Sequence, residues 1–185
     1  MKETAHTGEG AVIWITGLSG AGKSTLAAEV TARLRATGQA VVMLDGDELR
    51  EVFGAASLIS GRHDREARLA LAMRYAQLCK VIAQQGLAVV IATISLFKEV
   101  HTWNRAHLPR YFEVFLDVPL HELRSRDPKG IYRRFDAGQI ENVAGLDLPF
   151  DAPESPDVIF EFEADGAVAD NAIELVERFM KKKRR

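Results

Sequence analysis

The stretch Gly17–Thr25 constrains the fold more than any other part of the chain, because it fits the pattern G-x-x-x-x-G-K-[ST]. An apolar, β-branched run at 11–16 precedes it, and apolar residues recur at helical spacing after it as far as Gly38. A strand, a glycine-rich loop and a helix in this order form a phosphate-binding P-loop, in which backbone N–H groups and the helix N-terminus face the anion. The predicted phosphate-binding residues are Gly17, Leu18, Ser19, Gly20, Ala21, Gly22, Lys23, Ser24 and Thr25.

The rest of the chain alternates between apolar strands and amphipathic helices. Further strands are predicted at 40–44, 87–93, 111–118 and 158–160, with helices at 64–86 and 98–108, after Pro119, and at the C-terminus. The stripe that defines the C-terminal helix is Ala169, Ala172, Ile173, Val176 and Phe179. This order predicts an α/β fold of three layers around a parallel sheet. We expect one domain over 11–185 after a flexible leader at 1–10.

Composition limits the classes of function. The chain has 185 residues and a net charge of −2, which does not favour nucleic acid or a membrane surface as a partner. The apolar runs are too short to span a bilayer, and a single cysteine, Cys79, excludes an internal disulfide. A cytoplasmic setting is the default expectation. The five histidines show no metal-ligand spacing, and we interpret them as surface or cleft residues.

Two acidic residues, Asp45 and Asp47, directly follow the second strand, and Arg50 comes one turn later. In an open α/β sheet, ligands bind outside the carboxyl ends of the strands. The strand at 87–93 carries no acid at its end, so a carboxylate that orders a metal ion would come from Asp45 or Asp47. The alternative is a turn in which an aspartate caps the next helix.

Two further basic segments are candidates for anion contacts. Arg65 and Arg68 lie in the first turns of the helix that Asp64 is predicted to cap, where they either meet an anion in the cleft or form a solvated face. The segment 126–138 brackets Lys129 with proline and glycine. It is either a lid that closes over phosphates or an exposed charged loop.

These elements resemble the adenylylsulfate kinases, which use ATP to phosphorylate the ribose 3′-hydroxyl of adenosine 5′-phosphosulfate (adenylylsulfate, APS). The resemblance covers about residues 11–160, and its DGDxxR and RDPKG elements are more specific than the P-loop. The matching pieces are the P-loop, Asp45-Gly46-Asp47 with Arg50, Asp64-Arg65-Glu66, Ile94-Ser95, Arg126-Asp127-Pro128-Lys129-Gly130-Ile131-Tyr132 and Asp151-Ala152-Pro153-Glu154.

The resemblance implies roles for these residues. Lys23 and Ser24 would hold ATP and Mg²⁺, with Asp45 in the outer shell of the metal. Asp47 would face the 3′-hydroxyl as a base or as an orienting group. The implied catalytic set is Lys23, Asp45, Asp47 and Ser95, and the implied metal set is Ser24 and Asp45. The implied acceptor-binding set is Asp47, Arg50, Arg65, Arg68, Ile94, Ser95 and Lys129, with Lys129 carried by the lid. The resemblance also implies a homodimer.

The sequence departs from the family pattern around the acceptor base. Ser60 and Val143 stand where the family carries the two phenylalanines that clamp adenine, and Arg68 stands where it carries asparagine. Leu96-Phe97 replaces the family's Pro-Tyr. Each lost aromatic contact is worth on the order of 1 kcal/mol. These changes resemble a branch that acts on other nucleotides, to which the cytidine diphosphoramidate kinases of capsule modification belong.

The sequence therefore leaves several functions open. The acceptor is adenylylsulfate or a CDP-type nucleotide such as cytidine diphosphoramidate. A GTP-dependent switch is a weaker alternative, because no N-K-x-D guanine motif is present. A non-catalytic, nucleotide-binding regulator is a third possibility, although Lys23, Asp45, Asp47 and Arg50 are all intact.

Overall fold

The computed structural model describes residues 10–53, 65–163 and 166–182. The predicted leader lies outside these ranges except for Gly10, which is buried. Ser60 and the predicted helix cap Asp64 also lie outside the described residues.

Strands and helices alternate along the described chain, as the sequence predicts. The strands are β1 (Ala11–Gly17), β2 (Val41–Asp45), β3 (Ala88–Ala92), β4 (Tyr111–Asp117) and β5 (Val158–Glu161). The helices are α1 (Lys23–Ala36), α2 (Gly46–Val52), α3 (Arg65–Ala83), α4 (Lys98–His107), α5 (Leu120–Arg126), α6 (Ile131–Asp136) and α7 (Val168–Lys181).

The five strands form one parallel sheet in the order β2-β3-β1-β4-β5. In the register of this sheet Ile15 of β1 and Asp45 of β2 both lie opposite Ala92 of β3. The P-loop after β1 and the acidic turn after β2 therefore emerge at the same edge of the sheet, on either side of the loop that follows β3. This edge is where an open parallel sheet binds its ligands.

Two buried clusters fill the two faces of the sheet, because side chains along a strand alternate between faces. On β1, Ile13 and Ile15 belong to the cluster that includes residues of α1 and α7. Val12 and Trp14 point the other way, into the cluster with α3 and α4. The molecule is thus the three-layer α/β structure that the sequence predicts. Cys79 is fully buried in the second cluster, as expected of a small apolar residue.

The structure adds detail at two places and corrects the sequence prediction at one. Asp45 caps α2, as in the alternative in which an aspartate caps the next helix, and Asp47 lies in the first turn of that helix. The predicted lid at 126–138 contains the short helix α6. On α7, Ile173 is 42% exposed, because the buried face runs through Ala172, Leu175 and Phe179. No described helix is long and apolar enough to cross a membrane.

We predict that Leu175→Ala lowers the free energy of unfolding by about 2–5 kcal/mol, because the leucine is fully buried. The matched control is Ile173→Ala on the exposed face of the same helix, for which we expect less than about 1 kcal/mol. Urea denaturation measures both values. Equal losses for the two variants would contradict the packing of α7 described above.

Candidate active site

The P-loop has the backbone shape of an anion cradle. Gly20 and Gly22 have φ values of 81° and 90°, a left-handed conformation that favours glycine. Lys23 begins α1, and its ammonium donates to the carbonyl of Leu18 at 2.7 Å. The lysine is thus folded back along the loop, with its charge beside the turn that would surround a phosphate.

The electrostatic surroundings of Lys23 lower its pKa. Burial is the largest cause, and the nearby charge of Lys129 acts in the same direction, while Asp47 and Asp45 oppose it. The resulting pKa of Lys23 is about 8. Its charge is therefore present at neutral pH but is lost in mildly basic solution.

Asp45 joins the P-loop helix to the acidic turn. Its Oδ2 accepts a hydrogen bond from the Ser24 hydroxyl at 2.5 Å, and its Oδ1 accepts from the Asp47 backbone N–H at 2.8 Å. Gly46 lies so close to β3 that a Cβ there would be 3.0 Å from the Thr93 hydroxyl oxygen. A side chain at Gly46 would thus require its neighbours at the end of β3 to shift by a few tenths of an ångström.

The donor set at Ser24 and Asp45 suits Mg²⁺, which takes hard oxygen ligands and usually combines one or two protein groups with water and phosphate oxygens. Within the described ranges, no group of three or more His, Cys, Asp or Glu side chains could hold a metal ion. A metal ion between Ser24 and Asp45 would therefore take its remaining ligands from water or from a bound nucleotide.

Lys129 brings the predicted lid into contact with the acidic turn, because its ammonium forms an ion pair with the carboxylate of Asp47. Burial raises the pKa of Asp47, but the hydrogen bond and charge of Lys129 and the charges of Arg50 and Lys23 outweigh it. The pKa of Asp47 is consequently lowered, and its side chain is a carboxylate at neutral pH.

The lid segment also packs on the P-loop. The Tyr132 hydroxyl donates to the carbonyl of Ser19 at 2.9 Å, and its ring is buried. The Asp127 carboxylate accepts from the backbone N–H groups of Tyr132 and Arg133, at 3.2 and 3.0 Å, and so supports the start of α6. In this structure the segment therefore packs against the phosphate-binding loop through Tyr132, which an exposed charged loop would not do.

The loop after β3 supplies the two residues predicted to position an acceptor. The carbonyl of Ile94 accepts from the Thr16 hydroxyl at 2.5 Å, which ties this loop to the end of β1. The Ser95 hydroxyl is buried and lies 2.7 Å from that of Thr93. Ser95 has a positive φ of 21°, which is unusual for a residue other than glycine. The loop is thus held in a specific, strained shape at the edge of the sheet.

Arg50 and Arg68 lie close enough for their charges to interact. Burial lowers the pKa of Arg68, the charge of Arg50 lowers it further, and Asp147 opposes both. Asp147 also fixes the loop that carries Val143, because its carboxylate accepts the Val143 N–H at 2.6 Å. The guanidinium groups of Arg50 and Arg68 and the buried side chain of Val143 therefore lie in one region beside the acidic turn.

Arg65, the other predicted anion ligand, is engaged with carboxylates. Its guanidinium donates to Glu99 at 3.1 Å and to Asp151 at 3.2 Å, and it lies over the ring of Phe97, 5.3 Å from the centroid. In this conformation its hydrogen bonds go to the start of α4 and to the loop before β5.

These features have counterparts in known proteins. Residues 9–161 match the sequence profile of the family described as Adenylylsulphate kinase. The chain belongs to this family.

Two curated relatives carry different names. One is the cytidine diphosphoramidate kinase of Campylobacter jejuni, which is 37% identical over 92% of this chain and 95% of its own length. The other is the adenylyl-sulfate kinase of Clostridium kluyveri, which is also 37% identical, over 89% of this chain and 81% of its own length. Overall sequence identity therefore does not show which of these two named kinases the chain resembles more.

A solved structure shares the whole architecture. The APS kinase of Mycobacterium tuberculosis, solved in complex with AMPPNP and APS, superposes with a TM-score of 0.85 at 31% identity, over 94% of this chain and 99% of its own. The predicted resemblance is thus confirmed, and with it the predictions of a P-loop kinase fold and of an ATP-dependent kinase.

Local sequence patterns do not predict the positions of two buried side chains, Tyr75 and His101. The buried Tyr75 hydroxyl donates to the carbonyl of Gly46 at 3.2 Å and also has a hydrogen bond to Arg50, so it supports the acidic turn from α3. The sequence signal for this contact was Tyr75 itself, a single tyrosine among the aliphatic residues of the predicted helix at 64–86. The interpretation of all histidines as surface or cleft residues is wrong for His101, which is buried against Glu113.

The lowered pKa of Lys23 predicts how nucleotide affinity depends on pH. Raising the pH through about 8 removes the lysine charge, so we expect the affinity for AMPPNP to fall about tenfold between pH 7 and pH 9. Calorimetric titration measures this change. In Lys23→Met, affinity should be low and nearly independent of pH. The same pH dependence in both proteins would contradict the assignment to Lys23.

Proposed function

We propose that this chain is an ATP-dependent kinase that phosphorylates the 3′-hydroxyl of a CDP-type nucleotide such as cytidine diphosphoramidate. The observation that carries the choice of acceptor is Val143. It stands where the family has an adenine-clamping phenylalanine, it is buried, and Asp147 holds its backbone N–H at 2.6 Å. With valine in place of phenylalanine this position offers the base no aromatic ring, and a smaller pyrimidine loses less by the change than adenine does.

The donor side of the reaction follows from the P-loop. Lys23 would contact the β- and γ-phosphates, where its charge stabilises the transferring group. Ser24 and Asp45 would hold Mg²⁺, which when bound neutralises charge on the phosphoryl oxygens. Because Asp45 also bonds the Asp47 N–H, the group that orders the metal is tied to the group that faces the acceptor.

The acceptor side depends on Asp47 and its neighbours. A carboxylate with a lowered pKa is a weak base, so we assign Asp47 to orienting the attacking hydroxyl more than to removing its proton. Lys129 lies against this carboxylate and would meet the phosphates as the segment 126–138 closes as a lid. Ser95 is a positioning residue, because its buried hydroxyl is already bonded to Thr93.

Arg50, Arg65 and Arg68 are the proposed contacts for the anionic 5′ group. The half-buried guanidinium of Arg68, beside Arg50, adds a cation where the family carries asparagine. A nucleoside diphosphate derivative has two phosphoryl units to pair with these cations. The relative named cytidine diphosphoramidate kinase, which matches over nearly its full length, supports the same choice.

Adenylylsulfate is the second candidate acceptor. The DGDxxR and RDPKG elements of this chain are those of the adenylylsulfate kinases, and the M. tuberculosis structure with a TM-score of 0.85 contains APS. We further propose that residues 11–185 form a single kinase domain in the cytoplasm, and that it acts as a homodimer, as the family resemblance implies.

We predict that Asp47→Asn keeps the KM for ATP within about twofold and lowers kcat by at least about a hundredfold. The amide preserves the shape of the turn but removes the charge that aligns the hydroxyl. Steady-state kinetics with saturating acceptor measure both constants. A large change in the ATP KM with an unchanged kcat would contradict the role of Asp47.

The proposed acceptor predicts a kcat/KM for cytidine diphosphoramidate that exceeds that for adenylylsulfate by at least about tenfold, as expected when one favourable contact differs by more than about 1.4 kcal/mol. ADP release measured with both acceptors decides the choice. A higher value for adenylylsulfate than for every pyrimidine nucleotide would overturn it.

Arg68→Asn introduces the residue that the family carries. It should lower kcat/KM for the CDP-type acceptor by about five- to tenfold, the usual effect of losing one charge-assisted hydrogen bond. Arg74→Asn, at an exposed position of the same helix, is the matched control and should change neither acceptor. Equal effects of the two substitutions would show that Arg68 does not contact the acceptor.

A further inference from the structure

A buried carboxylate on the central part of the sheet takes no part in the proposed reaction. Glu113 of β4 is 2% exposed. Its Oε1 lies 2.7 Å from Nδ1 of His101 and accepts the Tyr111 hydroxyl at 2.7 Å, while its Oε2 accepts from Arg105 at 2.9 Å. A buried charge needs such partners.

His101 connects this carboxylate to the loop before β5. Its Nε2 lies 3.2 Å from the backbone carbonyl oxygen of Asp151. Because a carbonyl oxygen can only accept, a hydrogen bond at this contact is donated by Nε2, and it holds the backbone of residue 151 at a fixed distance from β4.

Asp151 in turn holds the start of α4 and the side chain of Arg65. Its carboxylate accepts the backbone N–H of Lys98 at 3.1 Å and the guanidinium of Arg65 at 3.2 Å. Lys98 is the first residue of α4, where N–H groups have no partner inside the helix. Glu99 also accepts from Arg65, but Asp151 is the partner that is joined through His101 to the core.

We propose that His101 is a positioning residue for the acceptor site. Through its Nε2 contact with the Asp151 carbonyl it fixes the carboxylate of Asp151, and thereby sets where the guanidinium of Arg65 stands. The kinetic part of this inference rests on the proposed function, in which Arg65 contacts the 5′ group of the acceptor. The Nδ1 contact with Glu113 serves the stability of the core.

Two substitutions of His101 separate these contacts. In His101→Gln the side-chain amide nitrogen reaches the position of Nε2 and keeps the bond to Asp151. In His101→Asn it reaches only the position of Nδ1 and keeps the bond to Glu113. Amide hydrogen exchange at Lys98 reports whether its N–H is still held by Asp151, and it needs no substrate. The ratio of the KM values for acceptor and for ATP reports on Arg65.

We expect His101→Asn to speed exchange at Lys98 and to raise the KM for cytidine diphosphoramidate about fivefold, the loss expected for one hydrogen bond, with the KM for ATP unchanged. His101→Gln should restore both values to near those of the unmodified protein. A thermal melt of each variant measures the stability effect separately. If both variants fail to fold, the ¹H–¹⁵N spectrum of the His101 ring in the unmodified protein decides, because a hydrogen bond to the Asp151 carbonyl requires a proton on Nε2. An Nε2 that carries no proton would overturn the inference.

Equal changes in the two variants, or no change in either, would overturn the inference. A difference in Lys98 exchange without a difference in acceptor KM would show that His101 holds Asp151 but does not position the acceptor site. If the unmodified protein phosphorylates no nucleotide acceptor, the proposed function fails. The exchange comparison at Lys98 still decides, by itself, whether His101 holds Asp151.

Discussion

The structure of the site depends on the two oxygens of the Asp45 carboxylate. One accepts the hydroxyl of Ser24 at the start of α1, and the other accepts the N–H of Asp47 at the start of α2. A residue at the end of β2 thus joins the helix that would hold the donor phosphates to the turn that would face the acceptor. Strand β3, which lies between β1 and β2 in the sheet, connects the P-loop and the acidic turn through the backbone as well.

The charged side chains around this bridge would change their partners when a nucleotide binds. Lys23 has a lowered pKa because burial disfavours its charge, and Lys129 pairs with Asp47 although both belong to different segments of the site. Nucleotide phosphates would compete for both lysines. The contacts of Tyr132 with Ser19 and of Lys129 with Asp47 hold the segment 126–138 against both the P-loop and the acidic turn.

Local patterns predicted the framework, but they could not predict contacts between distant segments. The P-loop, the five strands and the acids after β2 follow from motifs and from short-range periodicity. Tyr132 meets Ser19 across 113 residues, and His101 meets the loop of Asp151 across 50, so no local signal reveals these pairs. Glu113 is an exception. An acid within the apolar strand at 111–118 is a visible sign that a buried partner is needed, and His101 is one of its partners.

The most direct test of this account is the position of the transferred phosphate. We would incubate the protein with ATP and cytidine diphosphoramidate and determine the site of the new phosphate by ¹H–³¹P correlation NMR of the product. The account predicts a new correlation between phosphorus and the proton on C3′ of the ribose, because the proposed role of Asp47 is to orient that hydroxyl. A phosphate on the 2′-hydroxyl or at the 5′ end, or release of inorganic phosphate alone, would contradict it.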